Sequence, residues 1–307
     1  MSSARFAVVV HGGAGRWRDR WHAGALAGVT AAAQAAIDVL AAGRSALDAV
    51  CAAVVVLEDD PLFNAGTGSA LNVHGEAEMD AGVMDGLTAR FGGVCALARV
   101  RNPVLVARAV MQHTPHCLLA AGGALRFARE RGFADHDPVT EQRRQELAKA
   151  IAGERRRGDV APLTPAAPPA THDTVGAVAL DARGGLAVAT STGGITMKLP
   201  GRVGDSPLPG AGTYATRAAA SSATGLGEAI LRRLSTRTIC DLIGAGRDPE
   251  EAIALALADL AVADADAGFI AVDARGRIGV GHDSAAMPHA CFTSGDRAIT
   301  ARMAVPR

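Results

Sequence analysis

Thr174 opens a hydrophobic run, Val175-Gly176-Ala177-Val178-Ala179-Leu180-Asp181, directly after a Pro/Ala-rich stretch that ends in His172-Asp173. A break between Asp173 and Thr174 would leave a hydroxyl nucleophile and a free α-amine on one residue, so that the amine could act as general base without a His or Asp helper. The ordinary pKa of such an amine, about 7.7–8.0, already lies near working pH, whereas a lysine would need a much larger shift to do the same work. Taken alone, Thr174 is equally the β-branched start of a strand, a common place for threonine.

Other short segments supply what a carboxamide hydrolase needs besides the nucleophile. These are Thr190-Ser191-Thr192-Gly193-Gly194, Gly201-Arg202-Val203-Gly204-Asp205-Ser206-Pro207 and Ala223-Thr224-Gly225-Leu226-Gly227-Glu228. Arg202 and Asp205 place opposite charges in one glycine-rich loop, suited to gripping the α-carboxylate and α-ammonium of an amino acid through charge-assisted hydrogen bonds. The competing explanation is a surface ion pair of small value. Likewise, Thr-Gly pairs taken singly are ordinary turn residues.

Together with His11-Gly12-Gly13-Ala14-Gly15 and the path from Asn64-Ala65-Gly66-Thr67-Gly68 to Met84-Asp85-Gly86, this ordered set resembles the isoaspartyl aminopeptidase and plant-type asparaginase family of N-terminal nucleophile hydrolases. The likeness runs from about Val8 to near the C-terminus. It is weakest between about 135 and 170 and most specific from Thr174 to Asp205. It implies an α+β fold, a four-layer αββα sandwich of antiparallel sheets flanked by helices, and cleavage into a 1–173 α subunit and a 174–307 β subunit. It also implies substrates: L-asparagine and β-aspartyl dipeptides.

By the same resemblance, Thr192 orients Thr174, while the Thr224 hydroxyl and the Gly225 N–H form an oxyanion hole. The substrate is held by Arg202, Val203, Gly204, Asp205, Thr224, Gly225, Leu226 and Gly227, and Asn64 has a supporting role. Main-chain carbonyls of Leu57, Glu58, Asp60, Phe63, Ala65 and Thr67 would hold a structural sodium ion, and no cofactor is expected for catalysis. Self-cleavage would use the Thr174 hydroxyl on the Asp173 carbonyl, with an N-to-O acyl shift and then hydrolysis of the ester. The base for that first step is open between Asp173 and Thr192. A mature dimer of cleaved α/β pairs is implied as well. One departure from the pattern is Met197, where relatives carry asparagine.

Composition narrows the function classes. With 31 basic and 31 acidic residues among 307, the chain has no electrostatic footprint for nucleic acid or an anionic membrane. The five cysteines are scattered, with no C-x-x-C pair for zinc or redox chemistry. The apolar run Phe6–Val10 is too short for a signal-peptide core or a membrane span, so a cytoplasmic location is expected. Aromatic residues make up only 3%, which leaves the core to Ala, Val, Leu and Ile.

The elements that must position these residues read as one domain. A buried strand covers Ala4–Val10, a helix His22–Ala42, and a second helix starts at Ser45 with Asp48 three residues on. Strands follow at Gly75–Asp80 and Gly92–Leu97, then helices after Pro103 and near Leu118–Arg131. About 135–173 reads as a mobile linker containing an amphipathic, solvated helix at Thr140–Arg157. Two hairpins share an Asp-Ala-Arg-Gly turn, one at Val175–Thr190 and one at Gly268–Val280. Helices at Gly225–Ala245 and Pro249–Ala263 lie between them.

Several other motifs are set aside. His113-Thr114-Pro115-His116-Cys117 reads as a helix-initiating loop in preference to a zinc site, and Asp80 with Asp85 as strand ends. His11-Gly12-Gly13 has no G-x-S-x-G elbow to accompany it. Two rivals to the leading assignment stand: a glycosylasparaginase, and a noncatalytic αββα binding protein.

Overall fold

A computed structural model describes residues 5–157, 174–261 and 265–304. In chain order the first part holds β1 (Ala7–His11), α1 (Asp19–Ala41), α2 (Ala46–Asp59), β2 (Met79–Asp85), β3 (Arg90–Leu97), α3 (Pro103–His113), β4 (Leu118–Ala120), α4 (Ala121–Glu130) and α5 (Glu141–Arg157). The second holds β5 (Val175–Leu180), β6 (Leu186–Thr192), β7 (Thr213–Ala215), β8 (Ala219–Gly225), α6 (Gly227–Arg233), α7 (Ser235–Gly244), α8 (Pro249–Ala261), β9 (Ala267–Asp273), β10 (Ile278–His282), β11 (His289–Thr293) and β12 (Thr300–Arg302).

Strand alternation builds the layers. Val8 and Val10 of β1, with Val175, Ala177 and Ala179 of β5, join one cluster with α1, α2 and α3. Their neighbours Ala7, Val9, Val178 and Leu180 turn the other way, onto Ala220, Ile270 and Val272 of β8 and β9. The far side of β8 and β9, with Ala219, Ala223, Phe269 and Ala271, is covered by residues of α6, α7 and α8. The order is helices, sheet, sheet, helices: the expected four-layer α+β sandwich. Small aliphatic side chains fill its core, so stability rests on close packing more than on large rings.

The first sheet runs β12-β11-β1-β5-β6-β2-β3-β4 and the second β10-β9-β8-β7. The pairs are antiparallel except β3 with β4, which is parallel and so departs from the all-antiparallel expectation. The cause is α3, which carries the chain back across the sheet between those two strands. Among the described residues α1 alone is long and apolar enough to cross a bilayer. Its Val29, Ala32, Ala33, Ala36 and Leu40 are instead buried in the cluster shared with α2.

Local details differ from expectation in instructive places. β2 begins at Met79, since residues before it make only an isolated bridge between Leu71 and Ala77. The helix expected through 225–245 divides at Leu234, which adopts φ +50°. The His113–Cys117 motif ends α3 and leads into β4 instead of starting a helix.

The expected mobile linker also needs correction over its first part. α5 is docked: Arg143 is 4% exposed and donates from Nε to the Gly68 carbonyl. Leu147 packs on Leu71 and Ala77. Residues 158–173, including Asp173, lie outside the described residues, as do the last two residues of the helix expected to reach Ala263.

The start of α2 follows the sequence closely, with Ser45 Oγ accepting a hydrogen bond from the Asp48 N–H at 3.1 Å. Ser45→Ala removes that cap, and we expect a loss of about 1 kcal/mol in unfolding free energy. Urea denaturation should show a lowered midpoint with an unchanged slope.

Candidate active site

Pairing register brings the first two groups together. β5 and β6 pair Val175 with Ser191, so one step outward sets Thr174 opposite Thr192. Thr174 Oγ1 donates to Thr192 Oγ1 at 3.1 Å, and Thr174 is 7% exposed. Thr192 Oγ1 also accepts from the Gly194 N–H at 3.0 Å, which fixes its lone-pair direction. On its other side Thr192 pairs with Asp80 of β2.

A cleft opens here, lined by Thr174, Thr192, Gly194, Ile195, Arg202, Asp205, Gly225 and Gly227. Gly225 ends β8 at φ +132°, and an added Cβ would lie 2.4 Å from the Asp266 carbonyl oxygen, so only glycine fits. Thr224 is fully buried behind it, its Oγ1 accepting from the Ala14 N–H at 3.1 Å. That bond ties the His11–Gly15 segment to the site. Val203, Gly204 and Leu226 do not line the cleft. Gly204 instead donates its N–H to Asp80 Oδ2 at 3.0 Å, and Leu226 caps the start of α6.

In the same cleft lining, Arg202 is held by a residue to which the motifs gave no role. Its Nε and Nη2 donate to Glu228 Oε1 at 3.0 and 2.9 Å. Both bonds fall on one carboxylate oxygen, so the guanidinium is oriented from one side. Asp205 is 5% exposed, and its Oδ2 is buried with no hydrogen-bond partner. That oxygen faces Gly212, while Oδ1 faces Gly227 in the cleft lining and is the one a cationic ligand group would meet.

Burial pushes the Asp205 carboxyl up to about 7, against the opposing pull of Arg202. Gripping an ammonium requires the ionised form, which is present above that value and falls about tenfold per pH unit below it. We therefore expect KM for an α-amino acid substrate to rise as pH falls through about 7, and to rise again above about pH 8 as the substrate's own α-ammonium loses its proton. In Asp205→Asn the KM should be high throughout and lose this acid dependence.

Asn64 supports the turn beside Thr192. Its Nδ2 donates to the Gly194 carbonyl and its Oδ1 accepts from the Ala70 N–H, each at 2.7 Å, while its own carbonyl accepts from the Gly193 N–H at 2.8 Å. His11 is fully buried, its Nε2 2.9 Å from Ser222 Oγ, and burial pulls its pKa down to about 3. It is thus a neutral group lying against Ser222 and the Thr174 backbone. Asp80 and Asp85 do stand near the ends of β2, as expected.

Leu57, Glu58, Asp60, Phe63, Ala65 and Thr67 lie at the end of α2 and in the loop that follows. Glu58 O accepts from the Thr67 N–H at 2.8 Å and Asp60 O from the Phe63 N–H at 3.1 Å. The Glu58 side chain is fully buried: Oε1 accepts from Ser191 Oγ at 2.6 Å and from the Val104 N–H at 3.0 Å, and Oε2 has no partner. Burial raises this carboxyl to about 8. Buried oxygen donors with one carboxyl oxygen unsatisfied are chemically suited to a hard cation.

A family model described as asparaginase matches residues 4–301. The chain is 44% identical to a plant-type L-asparaginase of Pyrococcus abyssi, over 94% of this chain and 97% of the relative. It is 46% identical to an isoaspartyl peptidase/L-asparaginase of Mus musculus, over 75% of this chain and 70% of that protein. The protein of the same name from Danio rerio is 44% identical over 88% of this chain and 86% of its own.

Proposed function

Given that the chain belongs to the asparaginase family, we propose a self-processing course of reaction that uses one threonine twice. The chain is an N-terminal nucleophile hydrolase that cleaves the side-chain amide of L-asparagine and the β-aspartyl bond of isoaspartyl dipeptides. In maturation the Thr174 hydroxyl attacks the Asp173 carbonyl, the Asp173–Thr174 C–N bond breaks as the acyl group passes to oxygen and the amine is freed, and water then hydrolyses the ester, restoring the hydroxyl and releasing the 1–173 fragment. In turnover Thr174 Oγ1 attacks the substrate amide carbon while the amine takes the hydroxyl proton. The tetrahedral oxyanion lies against the Thr224 hydroxyl and the Gly225 N–H. Its collapse passes that proton to the leaving ammonia or amino acid and leaves a β-aspartyl ester, which water hydrolyses to L-aspartate. Arg202 takes the α-carboxylate and Asp205 the α-ammonium.

The observation that carries this reading is the separation of tasks within one cleft. A hydroxyl pair at 3.1 Å and a buried carboxylate with an oriented guanidinium line the same cleft. The test is denaturing electrophoresis of the purified protein together with ammonia release from L-asparagine and amino-acid release from a β-aspartyl dipeptide. Two fragments and both activities are expected; an unbroken chain that releases neither product would overturn it.

Three further parts belong to the same proposal. The carbonyls around Glu58 would hold a structural sodium ion, which would stiffen the loop behind Ser191 and Thr192. The cleaved pairs would assemble two-fold, and the enzyme would work in the cytoplasm on small soluble substrates.

A further inference from the structure

Lys198 has no part in the reaction above, yet it is 3% exposed and its Nζ lies against Gly194. Its Nζ donates to the Gly193 carbonyl at 2.9 Å and to the Glu78 carbonyl. The Gly193-Gly194 turn thereby has all four backbone polar groups engaged. Gly193 N–H goes to the Asn64 carbonyl and Gly193 O to Lys198, while Gly194 N–H goes to Thr192 Oγ1 and Gly194 O to Asn64.

Two local features are unfavourable without a return. One is a buried ammonium whose hydrogen bonds are to carbonyls and not to a carboxylate. The other is the residue before it: Met197 adopts φ +66°, a conformation unusual for a non-glycine side chain. The second feature serves the first. Met197 N–H donates to the Leu71 carbonyl and Lys198 O accepts from Val73 N–H, so the chain is pinned on both sides of a turn. That turn sends the methionine toward Leu71 and Leu147 and the lysine inward.

We propose that Lys198 is a positioning residue that locks the Gly193-Gly194 turn and, through the Gly194 N–H, sets the Thr192 hydroxyl against Thr174. This rests on the reading of Thr174 as nucleophile. It also accounts for the departure at Met197, since the strained backbone and not the side chain of residue 197 aims the ammonium.

The charged groups around Lys198 are Glu78, Asp80 and Arg202, with Asp205 and Glu228 beyond the arginine. Burial brings the ammonium down to about 8, Asp80 and Glu78 opposing and Arg202 assisting. The contacts to Gly193 and Glu78 therefore lose their charge on the alkaline side. The Thr174 amine must be neutral to act as base, so its titration raises activity toward alkaline pH, the opposite sense to Lys198.

The experiment compares wild type with Lys198→Met and Lys198→Gln. Each folded, cleaved protein is measured for kcat and KM on L-asparagine from pH 6 to about 9.5, with thermal melting alongside. In Lys198→Met, kcat should fall about 10- to 100-fold, the scale of a misplaced catalytic group, with KM within about threefold. Lys198→Gln, still able to donate to one carbonyl, should fall less and lose the alkaline decline in kcat. A folded Lys198→Met with kcat within about twofold of wild type would overturn the proposal. So would kcat and KM changing together in step with a lowered melting temperature. If neither variant folds, a wild-type kcat that stays level to about pH 9.5 overturns it independently. An inactive, uncut wild type would instead sink the nucleophile reading, so the two failures are distinct.

Discussion

Thr174→Ala is expected to persist as one uncut chain and to release no measurable ammonia from L-asparagine. The substitution removes the proposed attacking atom, Oγ1, whose hydrogen bond to Thr192 Oγ1 spans 3.1 Å. Without scission the α-amine never forms, so nucleophile and base disappear together. Loss of a nucleophile that acts as a unit with its base lowers turnover on the order of 10⁶-fold. The fold should survive, since the change deletes one hydroxyl and one methyl group at the open end of β5, worth about 1 kcal/mol in hydrogen bonding. Thr174→Ser is the informative control: it keeps the hydroxyl and should still cut itself, more slowly. Time-resolved electrophoresis and an ammonia assay read both results, and cleavage of the alanine variant at residue 174 would refute self-processing by this threonine.

For Arg202→Ala the expected outcome is a correctly cut protein that binds substrate poorly. The guanidinium does not touch Thr174, so maturation should proceed to completion. Substrate recognition loses its cation, and kcat/KM should drop by about 30- to 1,000-fold, the range for truncating one partner of a buried charged contact. The loss should lie mainly in KM. A secondary effect follows from the neighbours: Arg202 opposes the rise of Asp205's pKa and Glu228 promotes it. With the arginine gone, Asp205 holds its proton to higher pH, and the acid rise in KM should move upward. Arg202→Lys should recover only part of the binding, because an ammonium lacks the planar fork that Glu228 orients. Unchanged KM in the alanine variant would remove Arg202 from the substrate site.

Much of this site was legible because its chemistry lies in short contiguous motifs. Thr174, Thr192, Arg202, Asp205 and Gly225 all line the cleft. Their neighbours within the same motifs, such as Val203 and Gly204, do not, because alternation along a turn sends successive residues to different places. Lys198 and Glu228 escaped notice, and Asp80 was taken only as a strand end, for another reason. A charged residue at a strand end or helix start is usually solvated, and only the stacking of two sheets and the 201–205 loop makes these three near neighbours of the cleft. The strands Thr213–Ala215 and Ala219–Gly225 were hidden as well, since runs of Ala, Ser and Thr carry little hydrophobic contrast. α5 was visible as an amphipathic helix, but its docking depends on Arg143 reaching a carbonyl 75 residues away.

The order β1-β5-β6-β2 in the first sheet has a consequence for the proposed severed molecule. A pair of strands from after residue 173 sits between strands from before it, so the two products that scission would give are braided through a common ladder and are not merely apposed across a seam. Pulling them apart would strip β5 of β1 on one side and β6 of β2 on the other. Fragments synthesised separately would each present raw, hydrophobic strand edges, and mixing them after each had collapsed should yield little enzyme. Only joint refolding from denaturant should restore it, which makes the intact precursor a template for its own assembly.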